Sequence, residues 1–380
     1  MSNLDLSVND VLKMTPMGPI DTAIGNVFYG INHRQTPSAV PINKDLFGLT
    51  FFTRPQLNLS TQNTRAERRF ISLLTQEDAS IQRIIRCYLD PRLNQKISCP
   101  FVDKQNAFMP LLTNHLLSIS GWPDIVLDTF TSKPGAYKEV FSFTDSTSDI
   151  FSAYDITATF RNMVADPITL LFLVWCTYQS NVFQGTMVPY PDFLIKNEID
   201  YNTRIYRLVL DSTKRYVQKI GCTGAAYPTA VPIGASFNYE HDKPVNMSNQ
   251  DIQINFRCLG ARYQDDIIIH NFNRVVGIFN PSMKDSYYAS SMQKIPFETL
   301  QVFNGKGYPR IDPDSYELEW YVFKDEYERV MVIYEKHLES ILKQNTPEPP
   351  SNTNQVNFGL PEIKKPKAID IAKKIKTLSI

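Results

Sequence analysis

The sequence is poor in the features that support chemistry. It has 15 glycines in 380 residues, with no GxxxxGK[ST] loop and no GxGxxG after a strand, so no phosphate cradle is predicted. Asn304-Gly-Lys-Gly-Tyr308 is glycine-rich but reads as a turn. The five cysteines, Cys87, Cys99, Cys176, Cys222 and Cys258, are odd in number and contain no CxxC pair. That spacing indicates neither a disulfide framework nor a zinc site, and fits synthesis in a reducing compartment. His33, His115, His241, His270 and His337 fall in no HxxxH, HxH or HExxH pattern, so no metal centre is predicted, and His115 reads as a satisfied core residue. There is no GxSxG elbow and no activating setting for a thiol. Asp265-Asp266 and Asp124 to Asp128 are the nearest thing to paired carboxylates, and they read as solvated loop groups. No enzyme activity and no cofactor are expected.

Charge of one sign is also missing. Lys plus Arg and Asp plus Glu number 39 each, which removes the electrostatic signature of a protein built to grip nucleic acid or a membrane surface. The longest apolar run, Leu170 to Cys176, is too short to cross a bilayer. Met1 to Asp5 has no basic or apolar region, so no signal peptide is expected.

Aromatic residues are abundant at 12%, with 19 Tyr and 23 Phe, a composition suited to a β-rich core and to interfaces. The 25 prolines imply many extended connections. Residues 1–45 read as an extended arm. Residues 46–135 read as a mostly helical region. It opens on a strand at Leu46 to Phe52, with Arg54 held extended by Pro55, and then shows a capping box at Thr64-Arg-Ala-Glu67. Helices follow over Ala79 to Leu89 and Ala107 to Ile119. Arg65, Arg68 and Arg69 place positive charge in an apparent first helical turn, where it is unfavourable, so they read as subunit-interface candidates.

Residues 136–280 carry the β signal. Glu139 to Phe143 and Tyr154 to Phe160 alternate as short strands. Pro167 opens a helix that is apolar nearly all round from Leu170 to Asn181, so it is buried or lies in an interface, with Trp175 as the interface candidate. Arg204 to Leu210 and Arg215 to Ile220 read as strands. Asp251 to Cys258 alternates strictly: Ile252, Ile254, Phe256 and Cys258 share one face, and Asp251, Gln253, Asn255 and Arg257 share the other. One face meets the core, and the other meets water, a partner or a lumen. Asp266 to His270 and Arg274 to Phe279 read as an extension of the β region. Residues 281–345 read as an irregular segment plus a helix striped by Tyr327, Val330, Tyr334, Leu338 and Ile341. Beyond Thr346-Pro-Glu-Pro-Pro350, residues 346–380 form an extended tail with six Lys against three acids. Ile371, Ile375 and Leu378 leave it an apolar stripe that either orders on a neighbouring subunit or stays solvated.

The order of these segments resembles the tail-tube proteins of contractile-tailed bacteriophages, including the tube initiators that seat the tube on the baseplate. The resemblance covers residues 139–279. It rests on the strand Tyr154 to Phe160, the helix-bearing connection Pro167 to Gln184 and the strand Arg204 to Leu210. It continues through Gly-Ala-Ala-Tyr-Pro-Thr at Gly224 to Thr229, read as a turn, then Tyr239 and the alternating strand Ile252 to Arg262. The resemblance implies an α+β chain: a tail-tube-like β-sandwich with a helical N-terminal region, a C-terminal helix and an extended C-terminal tail. It implies a virion protein assembled in the host cytoplasm as a homo-oligomeric ring of six copies, next to other tail and baseplate proteins. DNA would pass transiently without specific binding, and no membrane is involved. Asp251, Gln253, Asn255 and Arg257 would then face the lumen, and Tyr227 would join the subunit interface. The extra length at both ends favours a specialised, baseplate-proximal subunit. A baseplate wedge or neck protein outside the tube is the second reading, and a tail-associated hydrolase the third.

Overall fold

A computed structural model describes residues 47–237, 241–242, 250–284, 286–303 and 305–345. The arm 1–45, the tail 346–380, Tyr239 and the stripe Ile371, Ile375 and Leu378 lie outside the described residues. The chain divides into two compact units after Val330. The strands are β1 (Phe47–Phe52), β2 (Leu116–Ser120), β3 (Thr129–Thr131), β4 (Ser142–Thr144), β5 (Ile150–Arg161), β6 (Ile205–Leu210), β7 (Val217–Pro228), β8 (Asp251–Tyr263), β9 (Met292–Lys294), β10 (Tyr308–Ile311) and β11 (Leu318–Phe323). The helices are α1 (Thr61–Arg65), α2 (Ile81–Leu89), α3 (Pro110–His115), α4 (Pro167–Phe183), α5 (Pro191–Lys196), α6 (Asp266–Phe279), α7 (Tyr288–Ser291) and α8 (Lys324–Asn345).

One antiparallel sheet dominates the first unit, in the order β1-β6-β7-β8-β5-β2. Neighbouring residues show its two sides. The partners Phe52 and Ile205 enter one core cluster, and the next pair, Phe51 and Tyr206, enters another. The first cluster joins the inward side chains of β5 and β8 to α4 and α2. Phe172 of α4 lies 5.7 Å from both Phe160 and Phe256, and it stacks on Trp175. The second cluster joins β6 and β7 to α6 and to the sheet β10-β11-β9. Phe108 and Phe272 stack there at 4.9 Å.

The two ends of the sheet come from residues 46–135, the region expected to be mostly helical. β1 pairs with β6, and β2 pairs with β5. The segment after β1 is held by buried guanidiniums. Arg54 donates to the carbonyls of Tyr88 and Asp103, each at 2.9 Å, and Arg86 donates to Leu59 O. Asp90, buried beside them, accepts from Leu59 N at 2.9 Å, Tyr190 Oη at 2.8 Å and Arg92 N at 3.0 Å. Loss of solvent pushes its carboxyl up to about 6.

Several expectations need correction. The helix over 107–119 is short: Pro110 starts α3, and at Leu116 the chain turns into β2 because pairing with β5 overrides local propensity. The capping box is absent. Thr64 lies buried within α1 and donates to Leu59 O and Ser60 O, while Glu67 caps the following 3₁₀ turn, Arg68–Leu74. Residues 266–279 form a helix, capped by the Asp265 side chain accepting from Ile267 N at 3.0 Å. Gly224 to Pro228 is part of β7, not a turn: a Cβ at Gly224 would lie 2.6 Å from Leu259 O, so glycine permits the close strand approach. The irregular segment expected from residue 281 onward, ahead of the C-terminal helix, supplies β9, β10 and β11. Of the strand expected at 139–143, only Ser142 and Phe143 are paired, within β4 of the small sheet β3-β4. Among the described residues no second large sheet faces the first; helices and the β10-β11-β9 sheet cover it instead.

Candidate assembly surfaces

Strict alternation along β8 buries Ile252, Ile254, Phe256 and Cys258 and turns Asp251, Gln253, Asn255 and Arg257 outward. Their partners on β5 are Arg161, Thr159, Thr157 and Asp155, in that order. β2 adds Ser118 opposite Thr159 and Ser120 opposite Thr157. Three adjacent strands therefore present one continuous face of hydroxyls, amides and paired charges. Arg257 Nη1 lies 2.9 Å from Asp155 Oδ2, Thr157 Oγ1 donates to Asn255 Oδ1 at 3.0 Å, and Arg161 stands opposite Asp251. Two acids and two arginines leave the face without net charge.

The ends of the sheet differ. Beyond β1, the outer groups of Phe52 and Arg54 are taken by the chain itself, through Met109 N to Phe52 O at 3.0 Å and Arg54 N to Ala107 O at 2.9 Å. Beyond β2, no strand pairs among the described residues. A bare strand edge beside a polar face is a template for another strand.

Between β2 and β5 the chain leaves the sheet as an arm, residues 121–149. Gly121 makes the exit with φ of +97°, and a Cβ there would lie 2.3 Å from Asp155 O. The base is fastened by Tyr263 Oη donating to Pro123 O at 2.7 Å. Beyond it the arm carries large apolar side chains in the open: Val126 is 74% exposed, Phe141 68% and Tyr137 94%, with Ile125, Val140, Phe130 and Phe143 beside them. Phe130 and Phe143 cross the β3-β4 pair at 5.1 Å, and both rings stay about half exposed among the described residues. Sequence reading missed the arm as a candidate contact surface, although the run Ile125-Val-Leu127 and the aromatics at 130, 137, 141 and 143 were visible without a helical or strand period to bury them.

The other interface candidates separate. Arg65, Arg68 and Arg69 are exposed and open to a partner. Tyr227 is half-buried, edge-on to Tyr201 at 6.0 Å. Trp175 is corrected: it is 0% exposed, with Nε1 donating to Tyr201 O at 3.0 Å, so it belongs to the core and offers nothing to another copy.

Among the described residues no group of three His, Cys, Asp or Glu is placed to hold a metal ion, and no helix is long and apolar enough to cross a membrane. All five thiols are free, and burial pushes Cys222 and Cys258 up to about 12, away from the thiolate that nucleophilic chemistry requires.

No curated protein matches this chain. Solved structures similar to it come from contractile injection systems. The anti-feeding prophage cap, a tube-terminating cap, is 15% identical at a TM-score of 0.26, covering 42% of this chain and 82% of its own. The sheath/tube terminator of the extracellular injection system PVC, in the extended state, is 13% identical at 0.23, covering 42% and 87%. A chain of the PVC sheath-tube complex is also 13% identical at 0.23, covering 42% and 82%. TM-scores of this size fix neither fold nor role. The family model described as "Putative phage tail tube protein" matches residues 2–340. The chain belongs to this phage tail tube family.

Proposed function

We propose that the protein is a structural subunit of a phage tail-tube ring, closed by about six copies, whose polar face lines a channel for DNA. The observation that carries this reading is the juxtaposition of a neutral face on β2, β5 and β8 with the unpaired edge of β2. Pairing that edge with a sibling strand would remove it and continue the polar surface from one copy to the next. A wall of hydroxyls, amides and self-paired ions suits transit, because unpaired Lys or Arg would hold phosphates and release them slowly. The apolar arm 121–149 would be buried against another copy, and other tail components would meet the exposed arginines at 65, 68 and 69. A place next to the baseplate, as tube initiator, fits a chain with segments 1–45 and 346–380 beyond the sheet; the apolar stripe Ile371, Ile375 and Leu378 would then dock on a neighbour.

Negative-stain imaging of the purified full chain tests the ring. Annular particles with a central pore are expected. A species that stays a discrete monomer across the accessible concentration range overturns the reading. A gold label on Asn255→Cys should sit at the inner rim; a label on the outer rim places the face elsewhere.

A further inference from the structure

A cavity of about 720 Å³ opens between α6, the turn after it and β10, on the second-cluster side of the sheet. Its wall carries His270, Arg274, Lys284 and Arg310, and no carboxylate is among the described residues that line it. His270 and Arg274 stand one helical turn apart on the exposed side of α6. The side chains of Arg274 and Lys284 make no ion pair or hydrogen bond among the described residues, while Arg310 is held over the Tyr288 ring at 4.2 Å, with Glu319 3.7 Å away. The site is stiff. The Asn273 amide donates to Ile311 O at 2.7 Å and accepts from Ile311 N at 2.9 Å, locking α6 to β10. Gly277 lets the turn close in, since a Cβ there would lie 3.1 Å from Lys284 Cα. Exposed Ile278 and buried Met283 add apolar surface between the cations.

The occupant must therefore be acidic and apolar together. Residues 4–12, Leu-Asp-Leu-Ser-Val-Asn-Asp-Val-Leu, have that composition: two acids, five aliphatic side chains and no base. The other end of the sequence is its opposite, with six Lys against three acids over residues 346–380. The tether is adequate, because the 35 residues from Leu12 to Phe47 reach up to about 115 Å. Its far end, Phe47, packs against the same cluster as α6. We infer that the N-terminal segment Leu4 to Leu12 docks in this cavity of its own chain, its carboxylates on Arg274 and Lys284 and its aliphatic side chains on Ile278 and Met283. Nucleic acid fits less well, because no Phe, Tyr or Trp is among the described residues that line the wall, and His270 is the single ring on which a base could stack.

The test uses the full chain with the photo-crosslinker p-benzoylphenylalanine in place of Ile278. Irradiation should join position 278 to residues 4–12 in a product that runs as a monomer on a denaturing gel. The yield should fall by about tenfold in Arg274→Glu/Lys284→Glu, and equally in Asp5→Lys/Asp10→Lys. Combining the four substitutions should restore it; the unfolding transition of each variant, unchanged, shows that the fold is intact. Adducts to other residues, to nucleic acid or to a second copy, the absence of any adduct, or a yield indifferent to charge reversal overturns the inference.

Discussion

The sheet face on β5 and β8 and the arm that precedes β5 are consecutive in the chain and opposite in their physics. Over residues 155–161 of β5 and 251–258 of β8 every second side chain is buried and the outward ones are polar, with Thr157 bonded to Asn255 and Asp155 paired with Arg257. In the arm the apolar side chains from Ile125 to Phe143 are exposed among the described residues, and the strands β3 and β4 are three residues long. One region is complete as a single molecule. The other is stable only in the sense that its base is fastened, and its exposed surface is of the kind that marks a protein contact. The difference teaches that this chain places apolar residues both in its core and in the open, and that exposure, more than hydrophobicity, separates those that serve folding from those that the proposed ring would use for association.

Substitutions that tell the two regions apart differ in their effect on unfolding free energy, and the largest falls on the buried side of β8. Ile254→Asp places a carboxylate in the first cluster, and a loss of about 4 kcal/mol or more is expected, seen as failure to show a cooperative denaturant transition. Normal stability would mean that β8 faces the other way. Next is a pH effect within the folded core. The Asp90 carboxyl is pushed from 3.8 to about 6 by burial, so the folded state keeps its proton longer than the unfolded state. Unfolding free energy should therefore fall, by about 3 kcal/mol, as pH rises across that window, and Asp90→Asn should flatten the slope. Denaturant midpoints measured at a series of pH values check the sign.

On the arm, Phe141→Ser should change unfolding free energy by no more than about 0.5 kcal/mol, because the ring is already in water. In sedimentation velocity the same variant should shift the protein toward monomer. A destabilised monomer would erase the contrast between the two regions. The smallest effect belongs to the polar face. Asn255→Ala removes an exposed hydrogen bond and should move the midpoint by less than the equivalent of about 0.5 kcal/mol. A larger loss would show that this face is covered within the monomer.

Much of the sheet was legible in the sequence because period-two alternation is unambiguous when one face is buried and the other polar, as at residues 251–258. The long apolar helix was legible for a related reason: a stretch hydrophobic all round has to be covered. Residues 266–279 were misread because Ile267-Ile-Ile269 favours a strand locally. The signals for helix were present, in the cap at Asp265 and the spacing of Ile268, Phe272, Val276 and Phe279, and these outweigh β-branching when the face has a core to meet. Gly224 to Pro228 misled through composition, since Gly and Pro mark turns in isolation but here allow two strand backbones to approach. Of the candidate assembly site, the outward residues of β8 were legible, whereas Trp175 was not separable from an interface residue, because a helix apolar all round does not say which neighbour covers it.

Alone, then, the sequence determined which residues along β8 must share a side and that α4 must be enclosed; these follow from local periodicity and residue type. Only the tertiary structure decided that residues 46–135 supply both end strands of the central sheet, that the outer edge of β2 is left without a partner strand among the described residues, that the arm's apolar side chains are exposed among those residues, and that four basic side chains from α6, the turn after it and β10 line one cavity. Those outcomes depend on pairings between residues tens to more than a hundred positions apart, whose closure entropy and packing are properties of the whole chain and leave no local period to read.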